Sequence, residues 1–168
     1  MSYLEYKILF QILAWFLLLG TKTISAQDPS FYAMVDKLTS ENVSVIKVEE
    51  LENKNTLILL DVRTKKEYEL SHIKNAIWVG EKNWDMKTFK NLDKKKMIVV
   101  YCSVGFRSEK LVRKLLRINS QKTFNLYGGI FDWVNKGNPV ENSHGITDSI
   151  HGFNKNFAQW IRKGVAVY

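Results

Sequence analysis

From residue 28 onward, apolar runs alternate with amphipathic stretches. Asp28-Pro29 opens a helix in which Phe31, Met34, Val35 and Leu38 share one face, and proline suits a first turn. Val43 to Val48 predicts a short strand, and Val48-Glu49-Glu50-Leu51 begins a helical turn. Leu57-Ile58-Leu59-Leu60 is wholly apolar, as in strands buried on both faces of a parallel sheet. It ends in Asp61-Val62-Arg63. Thr64 is a good N-cap for a helix over Lys65 to Leu70, and Glu67 at the third helical position completes a capping box. Ala76 to Val79 predicts a third strand, Trp84 to Leu92 a helix, and Met97 to Tyr101 a buried strand. Ser108 to Arg117 reads as a helix with Leu111, Val112, Leu115 and Leu116 on one face and Glu109 four residues before Arg113. Lys122 to Leu126 is the next strand. Gly128-Gly129 make a turn, and Ile130 to Val134 start a helix stopped by Gly137 and Pro139.

Strands and helices alternating at this spacing predict an α/β fold, an open parallel β-sheet flanked by helices on both faces. No internal repeat or low-complexity segment interrupts it. Residues 141–150 read as a polar linker. Phe153, Phe157, Trp160 and Ile161 then recur at helical spacing and predict a C-terminal helix that docks back on the domain. The expected organisation is a leader over 1–26, an N-terminal helical segment over 27–42, one domain over 43–139, and a C-terminal linker and helix over 140–168.

The leader changes the picture of where the domain works. Lys7 precedes an apolar core from Ile8 to Gly20, and Ile24-Ser25-Ala26 is a candidate cleavage site, the pattern of a secretory signal peptide. The core is about 13 residues, short of the roughly 20 that span a bilayer. Export, to a bacterial periplasm, is the expectation, and a membrane enters only if residues 1–26 stay attached. Cleavage after Ala26 leaves 142 residues, enough for one domain with a core. The whole chain carries 25 Lys and Arg against 17 Asp and Glu, a net charge of +8. Loss of Lys7, Lys22 and Glu5 with the leader leaves +7. No nucleic-acid-binding module accompanies this charge, so it reads as a solvated basic surface that draws in small anions. His144 and His151 have no further ligands at metal-binding spacing, so no metal is expected. His72 is expected to hydrogen-bond within the fold.

The candidate chemistry sits at one place. Cys102 is the single cysteine of the chain. It stands at the C-terminal end of a buried strand, in a loop of Cys102, Ser103, Val104, Gly105, Phe106 and Arg107 that feeds a helix beginning at Ser108. In open parallel sheets, ligands bind at that end. Free N–H groups and the partial positive charge of a helix N-terminus suit an anion and favour a thiolate. One cysteine makes no internal disulfide, so an exported lone thiol points to chemical use or an intermolecular bond.

These residues resemble a single-domain rhodanese, a sulfurtransferase, over roughly residues 43–139. Leu60-Asp61-Val62-Arg63 with Glu67-Tyr68 is similar to the family's first strand-to-helix signature. Ser71-His72-Ile73-Lys74-Asn75-Ala76 is similar to its His-Ile-x-Gly-Ala segment, with Asn75 in place of the glycine. Cys102 to Ser108 matches the active-site loop, Cys-x-x-Gly-x-Arg-Ser, with Ser103 where many active members carry arginine. Leu126-Tyr127-Gly128-Gly129, Trp133 and Pro139 resemble the closing segment.

The resemblance implies a two-step exchange without a cofactor. Cys102 takes the outer sulfur of a small anionic donor such as thiosulfate and passes it from a persulfide to a thiophilic acceptor, cyanide or a thiol. Ser103, Val104, Gly105, Phe106, Arg107 and Ser108 would bind the substrate, Arg107 holding its anionic group and the loop amides facing the sulfur. Ser108 reads as a cap or orienting hydroxyl. Asp61 and Arg63 would form an ion pair supporting the loop from beneath. Two other readings compete. Some cysteine phosphatases share this fold, with a loop one residue longer. Here four residues separate Cys102 from Arg107, and no aspartate is an obvious general acid. A non-catalytic binding or sensing module is the second.

Overall fold

The computed structural model describes residues 28–168 except 41, 52–56 and 119–121. The expected leader, residues 1–26, lies outside the described residues. Helix α1 spans Pro29–Leu38, capped by the Asp28 carboxylate on the Ser30 N–H. Strand β1 is Val45–Ile46, shorter than the apolar run, because the chain turns into a 3₁₀ segment at Val48–Glu50. Strand β2 is Leu57–Asp61, helix α2 is Lys65–Leu70, and strand β3 is Ile77–Trp78. Helix α3, Met86–Lys90, starts at an Asp85 cap, two residues inside the amphipathic window. Strand β4 is Met97–Tyr101 and helix α4 is Ser108–Ile118. Strand β5 is Thr123–Leu126 and helix α5 is Gly129–Asn135.

The five strands form one sheet in the order β1-β5-β4-β2-β3, every pair parallel. Strand alternation divides the core between the two faces. Leu59, Val99, Tyr101 and Leu126 face one side, with Phe31 and Val35 of α1 and Ile130, Phe131 and Val134 of α5. Leu60, Ile98 and Val100 face the other, with Phe89 of α3 and Leu111, Val112 and Leu115 of α4. Strand β4, at the centre of the sheet, delivers Cys102 from its C-terminal end.

Residues 140–168 depart from a linker and single helix. Val140–Asn142 and Gly145–Thr147 form an antiparallel pair, β6 and β7. Ser149–His151 and Val165–Val167 pair in parallel as β8 and β9. Between them, helix α6 is one turn, Lys155–Ala158, with its Asn154 cap accepting from the Phe157 N–H. The helical spacing of Phe153, Phe157, Trp160 and Ile161 covers this turn only. Phe153 lies before it in left-handed backbone, φ 63°, and Gly164 after it takes φ 92° beside the Asp148 carbonyl. Phe157, Trp160 and Ile161 still pack on the domain core. Among the described residues no helix is long and apolar enough to cross a membrane, and no group of three His, Cys, Asp or Glu side chains could hold a metal ion.

Candidate active site

The loop after β4 folds around its own cysteine. Cys102 is 1% exposed, and its Sγ accepts the Gly105 N–H at 3.2 Å. Gly105 turns inward with φ 108°, a conformation that a side chain disfavours. The Ser108 hydroxyl, at the first turn of α4, lies 3.6 Å from Sγ, 2.7 Å from Asn125 Oδ1 and 3.0 Å from the Gly105 carbonyl. Having one proton, it donates to one of these at a time. Asn125 Nδ2 donates to the same Gly105 carbonyl at 2.9 Å. Strand β5 thus holds the loop's glycine from below.

A second element takes the loop's carbonyls. The N–H groups of Ile130 and Phe131, at the start of α5, donate to the Cys102 and Ser103 carbonyls at 2.9 and 3.1 Å. With these oxygens turned away, the Gly105 N–H faces the sulfur. Gly129 makes that approach possible: a Cβ there would sit 2.4 Å from the Cys102 carbonyl oxygen, and its φ is 57°.

Arg107 is tied to the protein's own side chains. Its Nη2 donates to Glu67 Oε1 at 2.7 Å and to Ser103 Oγ at 2.9 Å. Its Nη1 donates to Glu67 Oε2 at 2.9 Å and also to Glu81 Oε1. The guanidinium has five N–H donors, and four are committed here. The expected contact of Arg107 with the donor's anionic group would add to these partners. Burial works against the charge on Arg107, but the Glu67 hydrogen bonds and charge, the neighbouring Cys102 sulfur and the Glu81 hydrogen bond outweigh it and push its pKa up. Burial likewise works to raise the Glu67 pKa, and the Arg107 bonds and charge together with Thr64 outweigh it, holding it at about 2. The same carboxylate caps α2: Thr64 N–H donates to Oε2 at 2.9 Å, and the Glu67 N–H donates to Thr64 Oγ1 at 3.3 Å.

Asp61 and Arg63 form an ion pair at 2.7 Å with both side chains fully buried. Arg63 Nη2 also donates to the Ser71 carbonyl at 2.6 Å, and its guanidinium lies over the Tyr101 ring, 5.6 Å from the centroid. The pair therefore ties the ends of β2 and α2 to the last residue of β4, directly before Cys102. His72 is a fold residue: Nδ1 lies 2.9 Å from the Tyr68 carbonyl, and its ring stacks on Tyr68. Asn75 takes φ 63°, a left-handed backbone that asparagine tolerates better than most side chains. Val104 is buried inside the loop, and Phe106 is 58% exposed at its outer edge.

Sequence reasoning missed two participants, and a third neighbour of Arg107, Phe153, whose ring centroid lies 5.1 Å from the guanidinium. Asn125 carried a signal, a polar residue between Phe124 and Leu126 in a buried strand. Glu81 carried none. Phe153 sat in a pattern that pointed to a helix face.

The rhodanese-like domain family matches residues 44–136. The chain is 29% identical over 93 residues to thiosulfate sulfurtransferase GlpE of Coxiella burnetii, across 55% of this chain and 86% of that protein. It is 32% identical over 104 residues to tRNA uridine(34) hydroxylase of Wigglesworthia glossinidia brevipalpis, across 59% of this chain but 31% of that protein. Among solved structures, a rhodanese-related protein of Thermoplasma volcanium superposes with a TM-score of 0.52 at 30% identity, covering 58% of this chain and 96% of the other. Fold, loop and match agree, and the chain belongs to the rhodanese-like domain family.

Proposed function

We propose that this protein is a sulfurtransferase that carries sulfane sulfur as a persulfide on Cys102. The Gly105 N–H on Sγ carries the reading, because that donor stabilises negative charge on the attacking thiolate and then on the persulfide. The likeness to a thiosulfate sulfurtransferase supports it. Cys102 Sγ attacks the outer sulfur of a donor such as thiosulfate. The new S–S bond forms, the donor's S–S bond breaks, and sulfite leaves with the electron pair. An acceptor, cyanide or a thiolate, then attacks the outer persulfide sulfur and restores the Cys102 thiolate. Arg107 holds the loop in shape through Glu67 rather than through the donor. The leader pattern of residues 1–26 supports work in a bacterial periplasm, which N-terminal sequencing of the processed protein tests.

The test is turnover with a sulfane donor and cyanide. Thiocyanate forms with the wild type and not with Cys102→Ser. Hydrolysis of a generic phosphoester without sulfur transfer would support the phosphatase reading instead.

A further inference from the structure

The charges around the loop do not suit a small dianion. Its one cation, Arg107, is paired with both Glu67 and Glu81. These three side chains sum to one negative charge, which disfavours a dianion beside them. The position after the cysteine is Ser103, and its hydroxyl is turned to Arg107 and Glu67.

One aromatic ring lies against Arg107, and another precedes it in the loop. The Arg107 guanidinium lies over the Phe153 ring, 5.1 Å from the centroid. Phe153 is 48% exposed, and Phe106, directly before Arg107 in the loop, is 58% exposed. Phe153 comes from the segment beyond the family match, which ends at residue 136. Its backbone is left-handed at φ 63°, an unfavourable conformation for a bulky residue. The position is fixed by neighbours: the Phe153 N–H donates to His151 Nδ1 at 3.1 Å, the Gly152 N–H donates to the Val167 carbonyl at 2.8 Å, and the ring meets Phe157 edge-on at 5.6 Å. The C-terminal strands therefore hold an aromatic ring against the loop arginine.

Resting on the sulfurtransferase reading, we infer that Phe153 and Phe106 are specificity-determining residues that select a sulfane donor bearing an apolar or aromatic group beside the transferred sulfur, in preference to thiosulfate. Such a donor carries less charge toward the Glu67–Arg107–Glu81 cluster, and its apolar group packs on the exposed rings. Transfer balances as before: Sγ bonds to the donor's outer sulfur, the donor's S–S bond breaks, and the electron pair leaves on the organic fragment, a sulfinate where the donor is a thiosulfonate.

The probes are benzenethiosulfonate, methanethiosulfonate and thiosulfate, each with cyanide as acceptor. The readout is the ratio of kcat/KM for the benzene over the methane donor. Comparison across variants cancels the donors' own reactivities. The ratio falls about fivefold in Phe153→Ala and in Phe106→Ala, the size of one aromatic contact. Phe153→Gly, in which glycine accepts the left-handed backbone, keeps its thermal midpoint and shows the same fall. Glu81→Gln, which removes one negative charge, raises kcat/KM for thiosulfate about threefold relative to benzenethiosulfonate. An unchanged ratio in a folded Phe153→Gly protein overturns the proposal. Absence of transfer from all three donors overturns the sulfurtransferase reading itself, and the proposal with it.

Discussion

Glu67 grips Arg107 with both carboxylate oxygens, at 2.7 and 2.9 Å, across 40 residues of sequence. That ion pair joins the cap of α2 to the far end of the cysteine loop. It ties the loop's cation to the protein's own carboxylate. Loss of one partner from a buried pair leaves the other charge stranded. Glu67→Ala should lower unfolding free energy by about 3 kcal/mol, measured by urea denaturation, and should slow sulfur transfer even where the protein is folded.

The same pair sets a pH dependence. The Glu67 carboxyl is held at about 2 against an ordinary 4.5. A depressed carboxylate pKa stabilises the fold above the unfolded value, and that stability drains as pH falls through the folded value. The contribution is complete above roughly pH 5 and is lost progressively between about pH 4.5 and 2. Stability against pH, followed by thermal midpoint, should fall across that window in the wild type and fall less in Glu67→Gln.

Asp61 acts on the scaffold rather than on sulfur. Arg63 beneath it is fully buried, so Asp61→Asn strands a guanidinium that keeps only part of its hydrogen bonding. The expected cost is about 3 kcal/mol of stability. Turnover per folded molecule should change far less than in Glu67→Ala, and parallel denaturation and thiocyanate assays separate the two effects.

Gly129 sets how closely α5 approaches the loop. A methyl there meets the Cys102 carbonyl oxygen at 2.4 Å in a left-handed backbone. Gly129→Ala should cost about 3 kcal/mol and displace the Gly105 N–H from Sγ, reducing persulfide formation more than about tenfold. Asn125→Ala makes a milder test from the opposite side. It removes two hydrogen bonds at Gly105 and Ser108 and should cost about 2 kcal/mol.

What the sequence made legible follows from local physics. The apolar run Leu57–Leu60 and the run before Cys102 announced buried parallel strands, because a strand covered on both faces needs no polar alternation. The Thr64–Glu67 capping box is present with both of its hydrogen bonds. Glu67's second role was hidden because Arg107 reaches it through folding, not through spacing. The pairing of Arg107 with Glu67 and Glu81 was hidden for the same reason: both approach it only in three dimensions. The C-terminal segment misled because four aromatic and aliphatic residues at helical spacing also fit a single turn flanked by strands. The left-handed backbone at Phe153 breaks the helix there, and no pattern of apolar residues reports a backbone angle.

The central claim is that Cys102 carries sulfur. The most direct measurement is the intact mass of the reduced protein after treatment with excess benzenethiosulfonate or thiosulfate and removal of donor, beside Cys102→Ser. A gain of roughly 32 Da on the wild type alone, discharged by cyanide as thiocyanate, is the predicted result. An unchanged mass with both donors, or an equal gain on Cys102→Ser, would contradict the account.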